Sequence, residues 1–453
     1  MRILIASDTA DVRNGGACIQ LWNLRRLLET AGHEVEVFSF DPSDEGKPGW
    51  HAEPEPNGTL ARKLHKLTFF PRGYAALRRQ VTRFRPDVVH INSNFKYPAS
   101  MLWAVRDQMV MASARDYVWV CPTGWAVRKS DLEPCPGGAG LKCVAHGCKS
   151  APEMALFQGP LSFVRDRLAR KIVRRFLSPS ARLAETMRMH GYYSDVLRNP
   201  VAGGVPAGGG QTTGTNADGA DARRPAFLFV GAMEEKKGVY ILFDAFRRLA
   251  AARPDVTLEF AGKGAAVEVL QRQAADAGLS DRVTFHGHVA REKVRALYGE
   301  VTALITPSLW MENFPNVVYE AMSHDCPVIG SDRGGIAELL ADERGWLYPA
   351  KDASALAGQM EAVLAGPTGD RTQAARRYVE VELAEAKFLG EYLRHASEVS
   401  GVPVNPPRLT TEEKRTGDEE NAAESRDSAA RAGTPPSPES NQLEYASPED
   451  PSR

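Results

Sequence analysis

Short apolar runs alternate with longer stretches whose apolar residues recur at helical spacing. In the first 200 residues ILIA (3–6), VEVFSF (35–40), DVVHI (87–91) and QMVMASA (108–114) predict strands, and QLWNLRRLLETAG (20–32) predicts a helix stopped by Gly32. The pattern restarts with FLFVG (227–231), TLEFAG (257–262), VTFHG (283–287), ALITPS (303–308) and PVIGS (327–331), separated by helical stretches such as ILFDAFRRLAAA (241–252) and EVLQRQAADAG (268–278). Alternation of this kind implies parallel sheets covered by helices. The expected fold class is α/β, with two doubly wound (Rossmann-like) domains facing across a cleft. Between them, residues 201–224 are rich in Gly, Thr, Asn and Asp and read as a linker. The expected organisation is a first domain over 1–200, the linker, a second domain over 225–365, a helical stretch within 366–400, and a disordered tail over 401–453, where Pro, Ser and Glu dominate.

Composition supports ordinary cores: 453 residues with 43% hydrophobic content are enough for two or three globular domains. The N-terminal apolar run suits a first strand better than a secretory leader, and no stretch of about 18 apolar residues occurs, so a cytoplasmic location is expected. The net charge of −1 conceals an asymmetry: residues 1–200 carry 29 Lys and Arg against 19 Asp and Glu, while 401–453 carry 6 against 11. A basic front half points to phosphates or an anionic membrane surface, with nucleic acid not among the expected partners.

The stretch ENFPNVVYE (312–320) sets two glutamates on either side of a proline. Pro315 suits a first helical turn, so a helix from there to Ser323 would present unpaired N–H groups at 314–317 as an anion site. Glu320 would lie roughly 7 Å along the axis and Glu312 in the loop before it. Carboxylates accept hydrogen bonds and repel phosphate, so both would bind hydroxyls. A diphosphate with hydroxyls on both sides, a nucleotide-diphosphate sugar, fits that arrangement.

With its continuation, PSLWMENFPNVVYEAMSHDCPVIGSDRGGIAELL (307–340), this stretch resembles the retaining glycosyltransferase family of bacterial mannosyltransferases and sucrose synthase, which has the GT-B fold. The resemblance covers about residues 1–365. It implies that Glu320 binds ribose hydroxyls and Glu312 the donor sugar, with Asn313, Phe314, Pro315 and Asn316 near the sugar and diphosphate. Lys237 in VGAMEEKKG (230–238) falls on the family's diphosphate lysine, and Gly15 and Gly16 on its N-terminal glycine loop. Asn199-Pro200 matches the crossover into the second domain. The family's implied chemistry is hexose transfer to a hydroxyl on a glycan or lipid-linked acceptor, with retention, no catalytic metal and no carboxylate nucleophile, in cell-surface glycan synthesis.

Two positions depart from the family. Ala232 stands where an arginine would help clamp the diphosphate, and Arg115 stands in ARDYVWVCP (114–122) where a histidine is usual. Arginine cannot act as a base, but it binds phosphate or carboxylate bidentately; Asp116 beside it could accept a hydrogen bond from an acceptor hydroxyl. Glu312, Lys237, Asp116 and Arg115 are therefore the expected catalytic set. The departures keep open a weakly active nucleotide-sugar-binding scaffold, beside an epimerase or hydrolase of the same architecture.

Cys121, Cys135, Cys143 and Cys148 lie in a Gly/Pro-rich loop that cannot build its own core. A structural zinc or iron–sulfur site is one reading and buried free thiols the other. Basic amphipathic stretches over 60–85 and 165–176 read either as core-facing helices or as a surface docking on the inner face of an anionic membrane.

Overall fold

The computed structural model describes residues 1–9, 16–40, 49–92, 96–205 and 223–404. Gly15, most of the linker stretch and residues 405–453 lie outside the described residues.

The N-terminal sheet is built from β1 (Arg2–Ala6), β2 (Glu34–Ser39), β3 (Trp50–Ala52), β4 (Val88–Ile91), β5 (Val110–Ser113), β6 (Val173–Ser178) and β7 (Ser194–Val196). All seven pair in parallel, in the order β3-β2-β1-β4-β5-β6-β7. The second sheet contains β8 (Arg224–Val230), β9 (Thr257–Ala261), β10 (Val283–Gly287), β11 (Val301–Thr306), β12 (Val328–Ser331) and β13 (Trp346–Tyr348), in the parallel order β10-β9-β8-β11-β12-β13. Central strands covered on both faces must be apolar throughout, and VVHI and VMAS are buried at every position. In each sheet the strand order reverses beside its first strand, which places ligands at the C-terminal strand ends.

The basic stretch 165–176 is not one amphipathic helix. A helix occupies Gly159–Ile172 and ends where β-branched Ile172 and Val173 turn the chain into β6, whose Phe176 and Leu177 enter the core. Over Pro71–Phe84 the helix is real and core-facing: Leu77, Val81 and Phe84 are buried. Two of its four arginines are neutralised within the chain: Arg78 pairs with Asp107 at 2.8 Å and Arg83 with Glu36 at 2.8 Å.

The expected helical stretch over 370–397 is two helices, Gly369–Glu382 and Glu385–Ser400, because Ala384 is extended between them. The first buries Ala375 and Val379 against Val318 and Met322 in the C-terminal domain. The second crosses back: the rings of Tyr392 and His90 lie 5.4 Å apart on the N-terminal sheet. It ends at Gly401, whose left-handed conformation suits a C-terminal cap.

The buried histidines make stability depend on pH. Burial, with Arg115 nearby, holds His90 down to about 3; burial, then Arg394 and Arg175, holds His395 down to about 4. In the unfolded chain histidine takes up a proton near 6.5. Below that pH the unfolded state binds protons that the folded state refuses, so stability falls as pH drops from about 6.5 towards 4. The expected slope is about 1.4 kcal/mol per pH unit for each histidine. Urea melts across this window should show it, and His90→Asn should flatten the slope by about 1.4 kcal/mol per pH unit; equal slopes in both proteins would contradict the assignment.

Candidate active site

Between the domains the C-terminal ends of β1, β5, β6, β8 and β11 open into a cleft lined by Gly16, Arg115, Asp116, Lys237, Glu312 and residues 313–317, among others. It offers about 280 Å³ to the centre of a water molecule.

The helix predicted from ENFPNVVYE forms over Asn316–Ser323, with Pro315 extended at its N-cap. It is fixed from the opposite domain: Gln20 Nε2 donates to Tyr319 Oη at 3.1 Å, and Tyr319 Oη donates to Asn316 Oδ1 at 2.6 Å. The preceding loop rests on the turn at 334–335, where the Gly335 N–H donates to the Glu312 carbonyl at 2.7 Å. A Cβ at Gly335 would lie 1.9 Å from the Asn313 carbonyl oxygen, so only glycine permits this approach. That is the structural reason for a Gly-Gly pair to follow the two-glutamate segment.

Both glutamates are buried, and each has a cation. Lys237 Nζ donates to Glu312 Oε1 at 2.7 Å, and Ser308 Oγ donates to the same oxygen at 2.7 Å. Burial alone would raise the Glu312 carboxyl, but the charge and hydrogen bonds of Lys237 and the Ser308 hydroxyl outweigh it and hold it below the usual carboxylate range. Glu312 is therefore ionised at neutral pH, an acceptor for hydroxyls and no proton donor. Arg291 Nη2 donates to Glu320 Oε1 at 2.6 Å. Lys237 is held by Gly238, whose φ of 74° puts its backbone against Pro307.

Asn313 joins the domains: Ser180 Oγ donates to its Oδ1 at 3.1 Å, and its Nδ2 donates to the Ala114 carbonyl at 3.1 Å. That leaves its backbone amide, not its side chain, for a ligand. Gly16 approaches the helix start closely, since a Cβ there would be 2.9 Å from Asn316 Nδ2.

Across the cleft, half-buried Arg115 donates to Asn92 Oδ1 from Nη2 at 2.6 Å and from Nε at 3.2 Å, and to Asn199 Oδ1 from Nη1 at 3.0 Å. Burial pushes its guanidinium down to about 10, which leaves it charged at neutral pH. Asp116 caps the short turn Tyr117–Trp119 by accepting from the Val118 N–H at 2.8 Å. Its carboxylate thus holds backbone as well as facing the cleft.

Sequence patterns gave no sign of two tryptophans. Lys236 Nζ lies 5.3 Å from the Trp125 ring and 5.5 Å from the Trp310 ring, and Lys237 Nζ lies 4.8 Å from Trp310. Trp125 comes from the cysteine loop, and its carbonyl accepts from the Met311 N–H at 3.1 Å. Spacing cannot reveal a contact between residues so far apart in the chain.

Among the described residues no group of three or more histidine, cysteine, aspartate or glutamate side chains is arranged to hold a metal ion. Cys121, Cys135, Cys143 and Cys148 are free thiols. Burial pushes the Cys143 thiol up, and the neighbouring Cys121, Cys148 and Cys135 add to this. The loop is instead anchored by Val120, Cys121, Ala126 and Val127 in the N-terminal core, and by Lys351 of the other domain, which donates to the Asp131 carbonyl at 2.8 Å and pairs with Glu133. Packing and an inter-domain clasp thus anchor the loop.

The family described as glycosyl transferases group 1 matches residues 214–380, and the one described as Glycosyltransferase Family 4 matches residues 14–202. Both matched families are glycosyltransferase families, and together they cover residues 14–202 and 214–380. The phosphatidyl-myo-inositol mannosyltransferase of Mycobacterium leprae is 25% identical over 358 residues, covering 77% of this chain and 84% of that one. The glycogen synthase of Mycobacterium tuberculosis is 32% identical over 164 residues, covering 34% and 39%. Sucrose-phosphate synthase from Thermosynechococcus elongatus superposes with a TM-score of 0.64 at 18% identity, covering 88% of this chain and all of that one. Anabaena HepE in complex with UDP-glucose does so with a TM-score of 0.63 at 17% identity and the same coverages. The fold of this glycosyltransferase is thus GT-B.

A buried carboxylate needs its cation, so Lys237→Met in the glycosyltransferase should lower unfolding free energy by about 1–3 kcal/mol at pH 7. Adding Glu312→Gln should recover more than half of that loss, because no charge is then stranded. Chemical denaturation of the four proteins measures this, and strictly additive effects would show that the pair is not coupled.

Proposed function

We propose that the glycosyltransferase moves a hexose from a nucleotide-diphosphate sugar to a hydroxyl of a glycan or lipid-linked acceptor, with retention of configuration. The observation that carries this reading is the pair of buried carboxylates on either side of the Asn316–Ser323 helix start, one of them ion-paired to Lys237. The amides at the helix start and Lys237 meet the diphosphate charge. Glu320 accepts from the ribose hydroxyls and ionised Glu312 from the sugar. As the glycosidic bond breaks, Lys237 shifts from Glu312 towards the departing diphosphate, where charge grows. The acceptor hydroxyl attacks from the same face and passes its proton to that leaving group, with Asp116 orienting the hydroxyl. No nucleophile from the chain is needed. The mannosyltransferase relatives and the neighbour crystallised with UDP-glucose support a nucleotide-sugar donor.

Among the described residues no helix is long and apolar enough to cross a membrane. A lipid-linked acceptor would be met by a cytoplasmic enzyme resting on the inner face of an anionic membrane. Leu64 and Phe163 are 56% and 68% exposed on helices that also carry exposed Lys63 and Arg167, which suits such a contact better than the ion-paired Arg78 and Arg83.

A thermal-shift series with UDP-, GDP-, ADP- and dTDP-sugars should raise the melting temperature with one base above the rest, since a ligand bound only by the native state stabilises it. Glu320→Ala should then weaken donor binding more than turnover. Glu312→Ala should lower kcat with donor affinity kept or tightened, because Lys237 is released to the diphosphate. Lys237→Ala should lower kcat by about 10²–10³. Equal effects of the two glutamate substitutions on Kd and kcat would overturn these roles.

A further inference from the structure

Among the described residues, four charged side chains line the cleft: Lys237, Glu312, Asp116 and Arg115. Lys237 and Glu312 cancel one another at 2.7 Å, and Lys236 beside them is paired with Glu234 at 2.6 Å. Asp116 adds a negative charge. Ala232, next to Gly231 of the C-terminal wall, offers no cation. The described lining therefore presents little net positive charge to a diphosphate from the side where the helix start and Lys237 lie.

Arg115 is the exception. Its guanidinium has five N–H donors. Three of them go to the neutral carboxamides of Asn92 and Asn199, and among the described residues no carboxylate pairs with it. The remaining donors are one on each terminal nitrogen, the set a phosphate oxygen pair can take up. The side chain is also pre-positioned. Asn92, which accepts two of its bonds, donates from Nδ2 to the Ala17 carbonyl at 3.4 Å. Ala17 adjoins Gly16, which sits against Asn316 at the helix start. Two contacts thus connect the guanidinium to the residues that border the anion site.

We propose that Arg115 supplies, from the N-terminal wall, the diphosphate-binding cation that Ala232 does not supply from the C-terminal wall. The two departures of this chain from its family are then one exchange, a charge moved across the cleft. The proposal rests on the reading of the donor as a nucleotide-diphosphate sugar. It also makes donor binding depend on both domains: a diphosphate held by Lys237 and Arg115 ties the two walls together, so the leaving group is fully charge-matched only when the walls are apposed.

The test compares nucleoside diphosphates with their monophosphates by calorimetry, using UDP/UMP, GDP/GMP and ADP/AMP on the parent, Arg115→Gln, Ala232→Arg and the double variant. The parent should prefer one diphosphate over its monophosphate. Arg115→Gln should cut that preference about tenfold or more, the loss of a charge-assisted contact, while the monophosphate Kd stays within about twofold. Ala232→Arg should change the parent little and restore most of the preference in the Arg115→Gln background. Arg115→Lys keeps the charge in the half-buried site and guards against misfolding of the glutamine variant; it should retain part of the preference. An unchanged diphosphate preference in Arg115→Gln and Arg115→Lys, with only the acceptor KM raised, would overturn the proposal and assign Arg115 to an anionic acceptor. If the parent binds no nucleoside diphosphate at all, the donor reading itself fails and the proposal falls with it.

Discussion

The contact on which the candidate site depends is the Lys237–Glu312 ion pair. Glu312 is 7% exposed, and a carboxylate that buried stays ionised only because Lys237 and Ser308 both donate to one of its oxygens. Backbone geometry enforces the pair from both ends. Gly238 lets the lysine turn lie against Pro307, and Gly335 lets the Glu312–Phe314 loop pass over the next turn. Neither approach leaves room for a Cβ. The chain thus accepts two conformationally costly glycine turns to hold one charge pair beside one helix start, a pattern expected where function and not stability sets the local structure.

The parts of this arrangement visible in the sequence are those with local causes. Strands β1, β2, β4, β5 and β8–β12 were legible because buried parallel strands are continuous apolar runs. Strands β3, β7 and β13 are three residues each, too short to carry a period. In β6 the exposed Arg174 and partly exposed Arg175 extend the basic look of the helix before it, and only tertiary pairing with β5 and β7 reveals a strand. Likewise ENFPNVVYE declared its helix and its carboxylates, because proline position and spacing are local. The partners of those carboxylates are not local: Lys237 is 75 positions from Glu312, and Arg291 is 29 from Glu320. Lys237 was found through resemblance, and Arg291, Trp125 and Trp310 had no signal at all.

Charge counting shows the same limit. The excess of arginine and lysine in residues 1–200 suggested a basic surface. Yet Arg26 pairs with Glu385, Arg175 with Glu398, and Arg83 with Glu36. Two of those acids come from the helix Glu385–Ser400, far along the chain. Part of the excess is a ledger of inter-element ion pairs rather than a field presented to partners, and exposed pairs of this kind add little stability individually.

That returning helix also constrains the cleft. The backbone passes from the N-terminal to the C-terminal domain after Pro200 and back at Leu383–Ala384, and the two crossings touch: the Val201 N–H donates to the Leu383 carbonyl at 3.2 Å. Gln20 Nε2 donates to the Pro200 carbonyl at 3.2 Å and also to Tyr319 Oη, so the crossover and the Asn316–Ser323 helix share one side chain. Any rotation of one domain on the other must pivot near these paired strands of backbone and must stretch the bonds of buried Gln20 and of Asn313, which lines the cleft. The cleft wall is therefore tied, through Asn313, to the contacts that register the domain positions. A ligand bonded to both walls would shift that registration by as much as its affinity for the apposed state exceeds its affinity for any other, and by no more.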